Sequence, residues 1–320
     1  MSHKPNCAIL DDYQAAALAS ADWAILQDRL EIRRYGEHLG DEDAVAAELA
    51  DCTIIVAMRE RTAFSKSLLE RLPNLKLLIT TGMRNRSIDM EAARSLTIQV
   101  CGTRSERGPA SELAWAGLLA FMRNIPQETA NFREGGPWQL GLGRSLEGRR
   151  LGIVGLGKQG KRMAGYGKAF GMEVCSWTRS NPEQRASELD IKALSLDDLF
   201  ATSDVITIQL ALTDETRGFV TSEMLQRMRP DAVLVNSARG PLVDEKALIE
   251  CLQEKRIGGA VLDVFDTEPL PLDHPFRSLA NVLATPHVGY VTQENYAVYF
   301  NDAIENIDSW LKGVPLRVLA

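Results

Sequence analysis

From Arg150 to Gly160 the chain reads Arg150-Leu151-Gly152-Ile153-Val154-Gly155-Leu156-Gly157-Lys158-Gln159-Gly160, an apolar run that enters a glycine-rich turn. Such a run reads as a buried strand, and the segment after the turn reads as a helix. Gly155, Gly157 and Gly160 carry the G-x-G-x-x-G spacing. The first glycine makes the tight turn, the second lets a pyrophosphate approach the backbone, and the third lets helix and strand pack closely. Amides at the start of the helix then face the phosphates. Tight turns also use glycine for purely conformational reasons, so the triad is read with its surroundings. The predicted helix over 161–170 stops at Gly171, and the β-rich run 173–177 comes next, completing one βαβ unit. An α/β fold with a dinucleotide site at Gly155, Leu156, Gly157, Lys158, Gln159 and Gly160 is the expectation.

A chain of 320 residues exceeds one ordinary core and suits two domains. Its formal charge of -7 argues against an electrostatic grip on nucleic acid or an anionic membrane. The longest apolar stretch, around 113–122, is too short to span a bilayer, and the N-terminus lacks a basic region followed by an apolar core. A cytoplasmic location is therefore expected. Cys7, Cys52, Cys101, Cys175 and Cys251 are odd in number and scattered, which predicts buried free thiols in preference to disulfides or a metal site.

Strand-like runs at 7–10, 53–58, 75–81 and 97–101 alternate with helical ones at 43–50, 65–71 and 89–96. Strands alternating with helices over short connections imply a parallel sheet covered on both faces, here the size of a flavodoxin-like domain. The apolar helical pattern 110–122 ends before Pro126 and leads into the polar, glycine-rich 131–148, the connector between domains. A second alternation has strands at 151–154, 173–177, 205–210, 232–236, 260–264 and 282–284, enough for a doubly wound dinucleotide domain. The helical pattern 292–311 and the tail 314–319 are too short for a domain and are expected to complete the first one. The predicted division is 1–102 with 290–320, and 103–289.

In open α/β sheets ligands bind beyond the carboxyl ends of the strands. Three strands of the second block end in Ser237-Ala238-Arg239-Gly240, Phe265-Asp266-Thr267-Glu268-Pro269 and Thr285-Pro286-His287-Val288-Gly289, so an arginine, a carboxylate and a histidine end three neighbouring strands. As bare residues, Arg239 and Glu268 could form an ordinary ion pair and His287 could pack in a turn. His3 is terminal, His38 lies in a polar stretch and His274 reads as part of a turn, so none of these competes as a base.

With these motifs the chain resembles the D-isomer-specific 2-hydroxyacid dehydrogenase family over nearly its whole length. The resemblance rests on 154–160, on Asn236-Ser237-Ala238-Arg239-Gly240-Pro241-Leu242-Val243-Asp244-Glu245, on 262–269 and on 285–289, in the family's order. It implies two doubly wound parallel-sheet domains, a flavodoxin-like substrate domain and a Rossmann domain for NAD(P). It also implies that Arg239 holds the substrate's carboxylate and carbonyl and that His287, oriented by Glu268, is the acid/base. A guanidinium forks onto a carboxylate, and histidine exchanges protons near neutrality, so the chemistry suits the roles. Asp263 is implied as the partner of the nicotinamide amide, with Leu210, Thr216, Ser237, Ala238 and Gly289 also at the cofactor.

An NAD site usually has an acidic residue about 20 positions beyond the glycine loop. Here that strand ends Trp177-Thr178-Arg179-Ser180, without the acid. Thr178, Arg179 and Ser180 are expected to hold a 2′-phosphate, so that NADP(H) is preferred and NAD(H) remains possible. On the substrate side the resemblance implies backbone contacts from the loop Thr80-Thr81-Gly82-Met83-Arg84-Asn85. Arginines cluster at two other strand ends, and at least one of Arg59, Arg61, Arg84 and Arg104 is expected to face a 2-oxo acid with a second polar or anionic group. The predicted function is reduction of a 2-oxo acid to a D-2-hydroxy acid, in a homodimer joined through the connecting helix and 131–149. The rivals are a dinucleotide-sensing corepressor-like binding protein and NAD-dependent oxidation of a D-2-hydroxy acid such as 3-phosphoglycerate.

Overall fold

The computed structural model describes residues 4–320, so His3 lies outside the described residues. The chain divides into two compact units, Met1–Arg107 with Val291–Ala320, and Gly108–Tyr290.

In the first unit, strands β1 (Asn6–Ile9), β2 (Glu31–Arg34), β3 (Cys52–Ala57), β4 (Leu77–Thr80) and β5 (Gln99–Gly102) form a parallel sheet in the order β2-β1-β3-β4-β5. This is the flavodoxin-like order. β4 is buried at every position, as a central strand covered on both faces must be. β2 has no counterpart among the expected strands because Glu31-Ile32-Arg33-Arg34 carries no apolar run; as an edge strand it buries little, and its charges discourage further pairing. Helices Glu42–Leu49, Lys66–Glu70 and Met90–Ser95 start where Asp41, Ser65 and Asp89 accept a hydrogen bond from a first-turn amide.

The long helix Gln293–Leu311, capped by Thr292, returns the C-terminus to this unit and buries Tyr296, Tyr299, Phe300, Ala303, Ile304 and Ile307. The recurrence of those positions at three and four residues is the apolar stripe of a core-facing helix. Beyond it the tail runs along the outer edge of β5, where the Val100 amide donates to the Ala320 carbonyl and that of Gly102 to the Arg317 carbonyl. The helix also buries a carboxylate. Asp302 is fully buried and accepts from the Arg104 amide at 2.7 Å, from Arg104 Nη2 at 2.6 Å and from Arg317 Nη2 at 3.0 Å.

In the second unit, β6 (Arg150–Val154), β7 (Glu173–Trp177), β8 (Lys192–Ala193), β9 (Val205–Ile208), β10 (Val233–Asn236), β11 (Gly259–Leu262) and β12 (Val282–Ala284) form a parallel sheet in the order β12-β11-β10-β9-β6-β7-β8. The order reverses between β6 and β9, the switch point at which such sheets bind dinucleotides. Side chains alternate between its faces: Ile206, Ile208 and Leu234 enter one apolar cluster, while Val205, Val233 and Val235 enter another.

In the second unit β8 and the connector also differ from the sequence expectation. β8 is only two residues long, too short to leave a pattern. The connector contains a helix, Ile125–Glu134, whose first turn holds Pro126 and which buries none of its residues. Proline at the start of a helix costs nothing, because its missing N–H would have no partner there, so the residue expected to stop one helix starts another. All five cysteines are free and buried, and no helix among the described residues is long and apolar enough to cross a membrane.

Asp302 sets a stability prediction. Burial opposes its charge, but the bonds from Arg104 and the charge of Arg317 outweigh it and hold the carboxyl below its ordinary value. A carboxyl lowered by folding contributes stability above the unfolded value, about 3.9, that is lost as pH falls through the folded one. Asp302→Asn is expected to cost about 3 kcal/mol at pH 7, the low end for breaking a buried pair because Arg104 is solvated, and distinctly less at pH 3. Urea unfolding at the two pH values checks this; an equal loss at both would contradict it.

Candidate active site

Three loops at the carboxyl end of the second sheet are held together by specific contacts. After β10, the Asn236 amide group donates to the Arg239 carbonyl at 2.9 Å while its Oδ1 accepts from the Ala238 amide at 3.1 Å. Asn236 thereby closes the turn Ser237-Ala238-Arg239. Gly240 then presses against the loop after β11: a Cβ there would lie 2.1 Å from the Phe265 carbonyl carbon and 2.5 Å from the Asp266 nitrogen. No side chain fits. That approach brings Arg239 close enough to Glu268 for its charge to favour the carboxylate.

Glu268 folds back on its own loop, taking the Phe265 amide on Oε1 at 2.9 Å, and presents Oε2 to His287 Nδ1 at 2.6 Å. The two side chains are 30% and 20% exposed, so the pair is shielded yet reachable. Burial works against the Glu268 charge, but the hydrogen bond and charge of His287, the Phe265 amide and Arg239 outweigh it and hold the carboxyl below its ordinary value. Glu268 is therefore ionised at neutral pH and must accept the proton on Nδ1, which fixes the orientation of the imidazole ring.

Asp263 anchors the third loop. Its Oδ1 accepts from the Thr285 hydroxyl at 2.6 Å and the Val288 amide at 2.8 Å, and its Oδ2 accepts from the Gly289 amide at 2.8 Å. His287 sits between these anchors with φ at +52°, a conformation uncommon outside glycine. Strain of this kind persists only where the surroundings over-determine it, and the Asp263 carboxylate does so. Burial pushes the Asp263 carboxyl above its ordinary value against the opposing effect of these donors.

The glycine-rich turn lies at the end of β6. Gly155 has φ at +101°, and a Cβ on Gly160 would lie 2.1 Å from the Gly155 carbonyl oxygen. A Cβ on Gly157 would meet nothing within 4 Å. Two glycines are thus required by the turn itself, whereas the third keeps open a concave space before the helix Lys158–Ala169, a cradle fit for a pyrophosphate. The buried Oε1 of Gln159 finds no donor among the described residues, an acceptor that a hydroxyl-bearing ligand would satisfy. Leu210 lies against Gly155, while the buried Thr216 uses its hydroxyl within its own turn, accepting from the Thr213 amide and donating to the Ala211 carbonyl.

At the end of β7, Thr178 is buried and takes a bond from Arg185 at 3.3 Å, while Arg179 and Ser180 are exposed. Arg179 pairs with Glu215 at 2.5 Å, with both side chains largely in solvent. Arg185, absent from the sequence expectation, therefore brings a second guanidinium to the turn.

In the first unit the predicted substrate loop is partly spent on itself. The Gly82 amide donates to Thr103 Oγ1 at 2.8 Å, Thr81 Oγ1 accepts from the Arg59 amide at 2.8 Å, and Arg59 Nη1 donates to the Thr81 carbonyl at 3.1 Å. Met83 and Arg84 are exposed. Of the four arginines at strand ends, Arg104 is tied to Asp302 and Arg61 lies over the Tyr13 ring. His38, read as part of a polar stretch, is instead half-buried against Asp11.

The family model for the D-isomer specific 2-hydroxyacid dehydrogenase NAD binding domain matches residues 115–289. The glyoxylate reductase of Aeropyrum pernix is 37% identical over 255 residues, covering 77% of this chain and 76% of that protein. The chain belongs to the D-isomer-specific 2-hydroxyacid dehydrogenase family. Among solved structures, the phosphoglycerate oxidoreductase of Vibrio cholerae O395 superposes with a TM-score of 0.92 at 35% identity, covering 98% of this chain and 100% of that one. An acyclic imino acid reductase in complex with NADPH and D-Arg superposes with a TM-score of 0.75 at 26% identity, covering 98% and 100%. The chain spans about half the length of the curated D-3-phosphoglycerate dehydrogenases it matches.

A nicotinamide dinucleotide is thus the cofactor of this dehydrogenase, and the matched NAD binding domain, 115–289, lies within the second unit. The supporting residues Asn236, Gly240 and Thr285 stand inside the strand-end motifs, but their part is visible only in three dimensions. Gly240→Ala must displace the loop after β11 and with it Glu268. Its expected effect is a fall in kcat of about 100-fold, the scale of a small misplacement at a reacting centre. Initial rates checked against the far-ultraviolet circular dichroism of the variant test this; a folded variant with near-normal kcat would show the close approach to be dispensable.

Proposed function

We propose that this dehydrogenase reduces a 2-oxo acid to the corresponding D-2-hydroxy acid, with NADPH preferred over NADH. The observation that carries the reading is the Glu268–His287 pair at 2.6 Å, set beside Arg239 at the ends of adjacent strands. A reduced nicotinamide, when bound, supplies the hydride. Arg239 would fork onto the substrate's carboxylate and carbonyl. His287 would deliver the proton on Nε2 to the keto oxygen as it gains charge, while Glu268 holds Nδ1 and steadies the imidazolium. Because Gly82 spends its amide on Thr103, the Met83 and Arg84 amides would donate to the substrate carboxylate, with Arg59 and Arg61 toward the rest of the molecule. The first unit would be the substrate domain and the second the cofactor domain.

Gly155 to Gly160 would cradle the pyrophosphate, with Ser237, Ala238 and Gly289 at the nicotinamide end. The NADPH preference is supported by the missing acid after β7 and by two arginines at that turn, Arg179 and Arg185. The Arg179–Glu215 pair must open to admit a 2′-phosphate, and a solvated pair resists this little. Reaction in the oxidative direction uses the same groups in reverse, as the phosphoglycerate oxidoreductase relative suggests.

Nicotinamide absorbance followed with NADPH and NADH against glyoxylate, hydroxypyruvate, pyruvate, 2-oxoglutarate, oxaloacetate and phosphohydroxypyruvate tests the reading. Turnover of at least one, with kcat/KM about tenfold or more in favour of NADPH, is expected for a phosphate held by charge-assisted bonds. A preference for NADH would remove the phosphate pocket. In the same assay His287→Ala should lower kcat by about 10³-fold with cofactor affinity retained.

We further propose a homodimer joined through the connecting helix and 131–149. Phe132, Trp138 and Leu142 are 71%, 82% and 96% exposed, the first two with ring centroids 6.3 Å apart, and exposed apolar side chains gathered in one segment mark an interface. Light scattering at micromolar concentration is expected to give twice the chain mass and Trp138→Ser with Leu142→Ser the single mass; a monomeric wild type would overturn it.

A further inference from the structure

The chain leaves β11 at Leu262 and returns as β12 at Val282, and Glu268 stands in the outgoing half of the loop between them. A connection of this length moves unless it is tied down. The bond from the Phe265 amide fixes Glu268 only to its own loop, and the close approach of Gly240 is a stop and not a tie. The tie comes from the helix Glu245–Gln253. Its start is fixed twice, since Asp244 accepts from the Ala247 amide at 3.0 Å and the Asp244 amide donates to the Val220 carbonyl at 2.9 Å. Glu245, the first residue of the helix, takes the Asp266 amide on Oε2 at 3.2 Å and faces His274 Nε2 with Oε1 at 3.3 Å. One carboxylate thus holds both the outgoing and the returning limb.

The histidine is committed at both nitrogens. Its Nδ1 accepts from the Phe276 amide at 3.3 Å, so the ring proton belongs on Nε2, toward Glu245. The His274 and Glu245 side chains are 14% and 23% exposed, which limits the competition of water for their bond. The His274 ring centroid lies 4.9 Å from that of Phe276, which lies 6.2 Å from that of Phe265, and both phenylalanines are buried. Arg277 closes the returning limb by donating to the Pro271 carbonyl at 2.7 Å and the Leu270 carbonyl at 2.6 Å. The amides of Phe265 and Asp266 are consecutive, one bonded to Glu268 and the next to Glu245. A shift of the turn that lengthens one of these bonds therefore disturbs the other.

We propose that Glu245 and His274 are positioning residues: they hold the loop after β11 to the start of the helix that precedes that strand, and so set Glu268 Oε2 against His287. They act through Glu268, and not on substrate or cofactor. The inference rests on the reductase reading for the reaction that is assayed, but it concerns residues that reading does not use. A group that acts through another loses its effect once that other is disabled, and this separates positioning from a general contribution to stability.

Glu245→Gln keeps the size and loses the charge that holds both limbs; His274→Phe keeps a ring against Phe276 and loses both bonds. Each is expected to lower kcat about tenfold, the scale of one lost hydrogen bond to a charged group, with KM for oxo acid and cofactor changed less than about twofold. In a Glu268→Gln background the same two substitutions should change kcat less than about twofold, because the group they place is already disabled. Equal losses in the two backgrounds, or no loss in either, would overturn the proposal. Hydrogen exchange followed by mass spectrometry reads the loop without turnover. In Glu245→Gln the segment 265–270 is expected to exchange about tenfold faster than in wild type, while β10 and β11 stay as protected as before. If the wild type turns over none of the oxo acids yet the loop loosens in this way, the reductase reading fails and the positioning role stands. Unchanged exchange in 265–270 would overturn it, as would faster exchange throughout the second unit. Where Glu245→Gln does not fold, His274→Phe decides by the same two measurements.

Discussion

Parallel pairing is the constraint on which the rest depends. When every strand of a sheet runs the same way, all the carboxyl ends lie on one edge, and the loops that leave them are neighbours whatever their separation in sequence. Arg239, Glu268 and His287 are distant along the chain, yet β10, β11 and β12 are adjacent. In the first unit the same geometry gathers Asp11, His38 and Thr62 from the ends of β1, β2 and β3. Helices cover both faces, so these edges are where polar groups can be displayed.

Adjacent loops are not yet a site, because loops are the mobile part of a fold. Each unit solves this with a carboxylate that takes several donors at once. Asp263 ties the His287 loop by three bonds, Asp11 ties three loops of the first sheet, and Asp302 ties the C-terminal helix to Arg104 and Arg317. A carboxylate has about four acceptor positions and no donor, so one buried residue can satisfy several chain segments without leaving its own hydrogen unmatched. The cost is the desolvation of a charge, which only multiple donors offset. The positive-φ residue His287 lies beside one such group, and Asp11, also at positive φ, is another.

The second unit is more legible in the sequence than the first. Its glycine spacing, strand-end motifs and short apolar runs are local patterns, and the six expected strands all appear, with Lys192–Ala193 added as a seventh. β2 is hidden because an edge strand need not be apolar, and the helix Ile125–Glu134 because a surface helix with no buried face leaves no apolar stripe. Arg185 escapes notice because a residue seven positions from Thr178 reaches it only through the intervening helical turn. Asn236 and Gly240 lie inside a recognised motif, yet nothing in a string of letters says that one staples a turn and the other admits a peptide.

The arginines of the first unit mark where local reading ends. Arg61 and Arg104 both come after strands in polar, charged loops, and composition does not separate them. Their partners do. Arg104 meets a fully buried carboxylate, where its charge is neutralised and its place in the structure is that of an anchor. Arg61 lies over an aromatic face, and a face of that kind restrains a guanidinium. The setting of each arginine is thus decided by a neighbour supplied from elsewhere in the chain: Asp302, roughly 200 residues away in sequence, for one, and Tyr13, on the loop after another strand, for the other.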